Sequence, residues 1–392
     1  MVDMNTTNLM EKITSRKNLL RAYKRVRDNR GAAGIDGMTL DDFPTYLKAN
    51  WPRIRDELLY DGYTPQPVRR VHIPKPQGGI RDLGIPTLTD RFIQQAVLQV
   101  LTPIFDPTFS ESSYGFRPGR NAHQAVKKAR EYINAGYTTV VDMDVEKFFD
   151  TVNHDRLMDR LSKTIEDKRL LKLIRRYLQA GLMDNGVRVQ TTIGTPQGGP
   201  LSPLLANIVL NELDKELEKR GHRFCRYADD CNIYVRTPRA GERVMQSVTR
   251  FIESQLRLTV NQGKSAVDKP SRRQFLSFSF YWNKAGAQIC IAAKAKKRLK
   301  DKMRALTSRR QNNMPLEDRI DRINQYSRGW IGYFALAEAK SFLEAMDSTL
   351  KRRLRMCIWK QWKRVRTRYS NLRTLGMNHT DAIKYANTRK GY

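Results

Sequence analysis

Four residues, Tyr227-Ala228-Asp229-Asp230, constrain this chain more than any other part of it. They lie between two short runs of strand character, 223–227 and 231–235. A strand–turn–strand this tight sets two carboxylates side by side at the tip of a hairpin. Adjacent like charges raise each other's pKa unless something positive sits between them, and a divalent cation is the simplest compensation. The hairpin therefore reads as half of a metal site, and the fold must bring the other half to the same sheet end.

The best second source is Asp144, at the end of the β-branched run 137–145. Asp142 is its rival, two residues earlier and on the same face if the strand continues. Asp144 is preferred because Phe148-Phe149 follow it at a spacing that matters below. Carboxylates converging from separate elements on two cations ~3.5–4 Å apart are what two-metal phosphoryl transfer requires. The net charge points the same way. At +32, the chain attracts polyanions, nucleic acid first among them. Residues 291–392 alone hold 26 Lys/Arg against 8 Asp/Glu, a surplus that marks a polyanion-binding region.

Other classes are excluded. No apolar run is long enough to span a bilayer, so no membrane partner is expected. Residues 1–12 lack the apolar core of a signal peptide. The four cysteines form no C-x-x-C pair and the five histidines are scattered, which argues against zinc and for reduced cysteines in a cytoplasmic protein.

Along the chain, helices are expected over 9–60, broken by a loop at 31–37 that follows Arg21, Lys24, Arg25, Arg27 and Arg30. Strands at 69–73 and 80–85 flank a Gly-rich tip. Helices follow at 90–101, 154–161 and 168–178, and a strand at 187–193. Ser202 is the expected N-cap, with Pro203 first in a helix that stops at Gly221. After the Asp-Asp hairpin come a helix at 242–256, a strand-rich stretch at 275–291 and then helices to the end.

Three blocks now stand in order: Asp144-x-x-x-Phe148-Phe149-Asp150, Pro196-Gln197-Gly198-Gly199-Pro200-Leu201-Ser202-Pro203 and Tyr227-Ala228-Asp229-Asp230. Gly34-Ile35-Asp36-Gly37, Ile73-Pro74-Lys75-Pro76, Leu83-Gly84-Ile85-Pro86-Thr87, Tyr114-Gly115-Phe116-Arg117-Pro118-Gly119-Arg120 and Gly329-Trp330-x-x-Tyr333-Phe334 accompany them. With these motifs the chain resembles bacterial group II intron-encoded reverse transcriptases/maturases. The resemblance implies an α+β right-hand polymerase. Residues 1–70 would form an RNA-binding N-terminal extension, 71–140 the fingers, 141–285 the palm and 286–392 an α-helical thumb/maturase domain. Many relatives continue into a DNA-binding segment and a zinc-dependent nuclease. Either this lineage lacks them or the chain is cut at its C-terminus.

The resemblance also implies roles. Asp144, Asp229 and Asp230, with the Val145 carbonyl, would bind two Mg²⁺ ions, for which Mn²⁺ can substitute. Lys75 and Arg81 would grip the incoming dNTP. Phe149 would pack on its sugar and reject a 2′-hydroxyl, and Gln197 would lie beside nucleotide and template. Gly198 and Gly199 would let backbone approach nucleic acid. Arg25, Arg30, Arg117, Lys264, Lys351, Arg352, Arg353 and Arg355 are candidate nucleic-acid contacts. His72 and His154 read as structural, and Trp330, Tyr333, Trp359 and Trp362 as core more than as base-stacking platforms. The implied partners are intron RNA, an RNA template with a DNA or RNA primer, and dNTPs. The expected function is RNA-directed DNA polymerisation with splicing assistance and intron mobility. The alternatives are an RNA-binding maturase without polymerase activity, or a reverse transcriptase of the defence, retron or CRISPR-linked type.

Overall fold

The computed structural model describes residues 6–74, 78–184, 187–189, 193–194, 198–308 and 314–388. The chain divides into two compact units, Met1–Lys269 and Pro270–Tyr392.

The first unit opens with α1 (Leu9–Ile13), α2 (Arg16–Asp28) and α3 (Phe43–Leu59). On α2, Asn18, Ala22 and Val26 recur at every fourth position and are buried, so the Lys and Arg side chains fall on the exposed face. A hairpin of β1 (Val68–Pro74) and β2 (Ile80–Ile85) follows, with Arg69 opposite Ile85. Helix α4 (Leu88–Phe105) is buried along most of its length and starts where Thr87 Oγ1 accepts the Asp90 N–H at 3.1 Å. Helix α5 (Ala122–Asn134) begins with a capping box of Asn121 and Gln124.

Strand β3 (Thr139–Met143) leads into the short α6 (Phe148–Thr151), then α7 (His154–Ser162) and α8 (Lys168–Gln179). Leu170, Leu173, Ile174, Tyr177 and Leu178 make one buried stripe on α8. Strand β4 (Leu182–Asp184) runs parallel to β1 and antiparallel to β5 (Val187–Val189), giving a sheet of order β2-β1-β4-β5. Of the strand expected over 187–193, Val187–Val189 forms β5 and Ile193 bridges to Asn153.

Helix α9 (Ser202–Lys219) corrects one expectation. Leu201 is its cap residue and already has helical backbone angles, so Ser202 and Pro203 are the first two helical positions. Proline suits either, because the first N–H groups of a helix have no partner within it. Strands β6 (Arg223–Tyr227) and β7 (Asp230–Val235), helix α10 (Pro238–Phe251) and strand β8 (Ala266–Asp268) complete the unit. The second sheet has the order β6-β7-β3-β8, antiparallel throughout. Strand β8 was not expected, being too short to display an alternating pattern. Gly241 lets α10 lie close on this sheet, for a Cβ there would stand 2.4 Å from Val267 Cγ1. One hydrophobic core joins the N-terminal helices, α4, the inner face of β3 and β7, α8, α9 and α10.

The second unit holds the β9 (Phe278–Asn283) and β10 (Gly286–Ile291) hairpin, then α11 (Ala293–Leu306), α12 (Leu316–Phe334), α13 (Lys340–Gln361), α14 (Val365–Thr374) and α15 (His379–Ala386). Trp330 lies 4.5 Å from Phe334, which packs on Phe278, and Trp359 and Trp362 pack around Leu372, Ala382 and Ala386. Trp330 and Phe334 are core, Trp359 and Trp362 are half-buried, and Tyr333, expected in the core, is exposed. The β9–β10 hairpin, which the expected palm–thumb boundary at 285 would divide, lies wholly in this unit. Among the described residues no helix is long and apolar enough to cross a membrane.

Candidate active site at the hairpin tip

Strand β3 lies between β7 and β8, and this central place is what brings the acidic residues together. Its register with β7 pairs Thr139 with Val235, Asp142 with Asn232 and Met143 with Cys231. Carried one residue further, the same register sets Asp144 opposite Asp230. Directly opposed residues hold their Cβ atoms ~4.5–5.5 Å apart. Alternation then puts Asp142, Asp144 and Asp230 on one face, while Val141, Met143, Cys231 and Ile233 of the other face enter the core.

Asp144 is fixed by its backbone. Its N–H donates to Ser265 Oγ at 3.0 Å, and its carbonyl accepts the Asn261 N–H at 2.8 Å. Val145 bridges to Val260 and is buried. The chain then turns sharply at Lys147, whose φ is 45°, into α6. Asp229 is half-buried. Asp230 keeps exposed surface, yet the protein packed around its carboxyl strips hydration from it. That burial comes first, and the charges of Asp229, Asp142 and Asp144 add to it, pushing the Asp230 carboxyl up to about 7. Lys264 acts in the opposite sense, with its Nζ 3.1 Å from Asp144 Oδ2.

The turn itself is held from beneath. Ala228 has a φ of 57°, the left-handed region, and is buried. Under it runs fully buried Arg226, all five of whose N–H groups are used. Nε donates to Asp214 Oδ1 at 2.7 Å and Nη2 to Asp214 Oδ2 at 2.5 Å. Nη2 also donates to Ser113 Oγ at 2.8 Å, and Nη1 to Asn207 Oδ1 at 3.0 Å and the Ala228 carbonyl at 2.9 Å. Asn207 Nδ2 in turn donates to the Gly115 carbonyl at 2.8 Å. A Cβ on Gly115 would stand 2.3 Å from the Ala228 nitrogen, so only glycine allows that approach. The sequence reading missed Arg226, Asp214, Asn207 and Ser113. A signal was present: Asp214 interrupts the apolar stripe Leu210, Leu213, Leu217 on α9.

Residues 73–280 match the family described as reverse transcriptase (RNA-dependent DNA polymerase). The chain belongs to that family. Residues 296–376 match the group II intron, maturase-specific domain. Protein YkfC of Escherichia coli (strain K12) is 33% identical over 299 residues, 66% of this chain and 78% of its own length. The group II intron-encoded protein LtrA of Lactococcus lactis subsp. cremoris is 40% identical over 195 residues, 50% of this chain but 32% of LtrA. The putative COX1/OXI3 intron 2 protein of Saccharomyces cerevisiae is 32% identical over 218 residues, 55% of this chain and 25% of that protein. The chain thus spans about a third or less of the length of the last two relatives.

The other expected residues of this reverse transcriptase fall in several places. Lys75 and Gln197 lie outside the described residues, as does the side chain of Arg81, whose backbone pairs with Ile73 in the hairpin. Phe149 is half-buried with its ring 5.3 Å from that of Phe148. Arg25 and Arg30 are exposed, on α2 and just beyond it. Arg117 corrects an expectation: its guanidinium is buried, donating to Asp106 Oδ1 at 2.7 Å and to the carbonyls of Ser110 and Ser113. It braces the loop beneath the hairpin and has no face left for a phosphate. Arg353 is likewise turned inward, its Nε 2.6 Å from Thr307 Oγ1. Lys351 pairs with Asp347 at 2.7 Å, while Arg352 and Arg355 are exposed.

Gly198 and Gly199 serve protein contacts. A Cβ on Gly198 would stand 2.5 Å from the Gly84 carbonyl oxygen, and one on Gly199 2.5 Å from Gln94 Oε1. His154 Nε2 lies 2.6 Å from the Gly194 carbonyl and His72 Nδ1 2.6 Å from Asp82 Oδ1, so both histidines have structural partners.

The donor chemistry of the tip suits a hard divalent cation, since Asp144, Asp229 and Asp230 offer only carboxylate oxygens and hold excess negative charge. Among the described residues, no group of three His, Cys, Asp or Glu side chains is placed to hold a metal ion by itself.

Proposed function

We propose that the hairpin tip is where this reverse transcriptase joins a deoxynucleotide to a primer end on an RNA template. The carrying observation is the register that sets Asp144 opposite Asp230, together with the Asp230 carboxyl raised by burial and by the charges of Asp229, Asp142 and Asp144. Asp144, Asp229 and Asp230, with the Val145 carbonyl, would hold two divalent ions, Mg²⁺ or Mn²⁺. Such ions, when bound, lower the pKa of the primer 3′-hydroxyl and stabilise the departing pyrophosphate. The chain's residues do the positioning. Phe149 lies five residues beyond Asp144, past the sharp turn at Lys147, and would press on the nucleotide sugar. Lys75, Arg81 and Gln197 would contact the triphosphate and the templating base.

The exposed cations of α2 and α13 would hold intron RNA, and the maturase-specific region supports a role in its folding and splicing. Fingers over 71–140, a palm from 141 and an α-helical thumb/maturase region would make up the chain, with the palm–thumb boundary moved from the expected 285 to the break between the compact units at 269/270. A cytoplasmic site of action fits LtrA's bacterial source.

The test is primer extension on an RNA template with Mg²⁺. Wild type should extend, and Asp229→Ala and Asp144→Asn should not, with RNA affinity kept in both. Tight RNA binding without extension by wild type would refute the polymerase reading. The logarithm of RNA affinity should fall linearly with the logarithm of salt concentration, and a flat response would remove the electrostatic account of RNA binding.

A further inference from the structure

The two aspartates sit on a turn that the local sequence does not favour. Left-handed backbone is natural for glycine and unfavourable for alanine, yet Ala228 adopts it at φ 57°. Something else must impose it. The groups beneath the turn come from three places in the chain: the 113–115 loop, where Gly115 packs on the Ala228 nitrogen, helix α9, and strand β6 itself, whose Arg226 reaches the Ala228 carbonyl. Ser113, Asn207, Asp214 and the Ala228 carbonyl all meet one guanidinium.

We propose that Arg226 is a positioning residue of the active site: its guanidinium pins the Ala228 carbonyl and thereby sets the left-handed turn that aims Asp229 and Asp230. The inference rests on reading the hairpin as the polymerase site and adds what fixes its geometry. Arg226 is suited to the task because its planar fork binds Asp214 through two nitrogens and still has N–H groups for Ser113, Asn207 and the Ala228 carbonyl. Asp214 lies on α9, an element anchored in the core, so the turn is referenced to rigid structure. Asn207 couples the two supports, accepting from Arg226 and donating to the Gly115 carbonyl. A lysine at 226 has three donors on a point charge and cannot meet both carboxylate oxygens, the amide, the hydroxyl and the carbonyl at once.

A bland account makes Arg226 one half of a buried ion pair that only stabilises the unit. Both accounts expect Arg226→Lys to lower thermal stability, so stability does not separate them. Ala228→Gly does. Glycine adopts the turn without strain, so in the Arg226→Lys background it should recover catalysis if the arginine acts through the turn. It should recover nothing if the arginine acts only on the core.

The experiment measures single-turnover primer extension, primer–template Kd and amide hydrogen exchange of the 226–231 segment. Arg226→Lys should slow extension about 100-fold, as a displacement near 1 Å does. Kd should stay within about twofold, and exchange at the turn should quicken. Adding Ala228→Gly should restore at least tenfold of the rate. If Arg226→Lys fails to fold, Asn207→Ser removes one acceptor and the Gly115 link while leaving the ion pair. The same pattern at smaller amplitude is expected there. Unchanged turn exchange, equal losses in rate and affinity, or no recovery with Ala228→Gly would overturn the inference. Wild-type extension and its loss in Asp229→Ala test the polymerase reading separately. The exchange arm holds whether or not that reading does.

Discussion

Lys264 Nζ lies 3.1 Å from Asp144 Oδ2, across the chain reversal that follows α10, and supplies positive charge where the acidic face needs it. It also draws the Asp230 carboxyl down against the pull of burial and three neighbouring carboxylates. A divalent ion approaching Asp144 must displace this ammonium or share the carboxylate with it. The lysine side chain is 66% exposed, so the ion pair is screened and worth little, up to about 1 kcal/mol. Lys264→Ala should therefore lower the Mg²⁺ concentration needed for half-maximal extension by a few-fold. A Mg²⁺ titration of the extension rate checks this. A shift to higher Mg²⁺ would mean that the lysine assists the site by another route.

Gly198 and Gly221 both have positive φ, at 129° and 72°, but only Gly198 is crowded. A Cβ at 198 meets the Gly84 carbonyl at 2.5 Å, whereas one at 221 meets nothing within 4 Å. Gly221→Ala should cost about 1–2 kcal/mol of backbone strain and leave extension unchanged. Gly198→Ala should cost more, because the loop before α9 must also move off β2, and it should slow extension. Thermal melts with extension assays on both variants make the comparison, and equal losses would show that the Gly84 approach is unimportant.

Phe149 presents a half-buried ring packed edge-on against Phe148. Phe149→Ala should cost about 2 kcal/mol, roughly half the loss for a fully buried phenylalanine. It should also lower the preference for dNTP over rNTP at least tenfold, if the ring excludes a 2′-hydroxyl. Competition between the two nucleotides in extension gives the ratio, and an unchanged ratio removes the assigned role.

The local patterns that were legible are those with short range. The Asp-Asp hairpin, the β-branched run before Asp144 and the existence of the helices α2 and α8 follow from neighbours a few residues apart. What stayed hidden depends on contacts between distant segments. Arg117 and Arg226 look alike on paper as cations beside an aromatic, and nothing local shows that Asp106 and Asp214 wait for them in the fold. The glycines of the Pro-Gln-Gly-Gly block were expected to face nucleic acid, but Gly84 and Gln94, about a hundred residues earlier, claim that space. Strand β8 was invisible because three residues carry no period, and only pairing with β3 defines it.

Asp167 offers the clearest pH prediction, because it joins the first helix to the rest of the unit. Burial alone would raise its pKa, but hydrogen bonds from the Arg169 guanidinium and the Met10 N–H, at 3.1 and 3.0 Å, outweigh that and hold it below the ordinary value. The same Arg169 grips Glu11 of α1 through two nitrogens, at 2.8 and 2.9 Å, and lowers that carboxyl too. A carboxyl whose folded pKa is depressed adds stability that is fully present above its unfolded value near 4. That stability is lost as pH falls through the folded value. Acid below about pH 4 should therefore loosen α1 from α8 before the rest of the unit unfolds. Asp167→Asn keeps an acceptor for Met10 but removes the charge facing Arg169, and should cost about 2 kcal/mol at pH 7. Its melting temperature should approach that of wild type as pH drops from 5 to 3, since protonation then removes the same interaction from both. A gap that stays constant over that range would place the effect in side-chain fit rather than in the carboxylate charge.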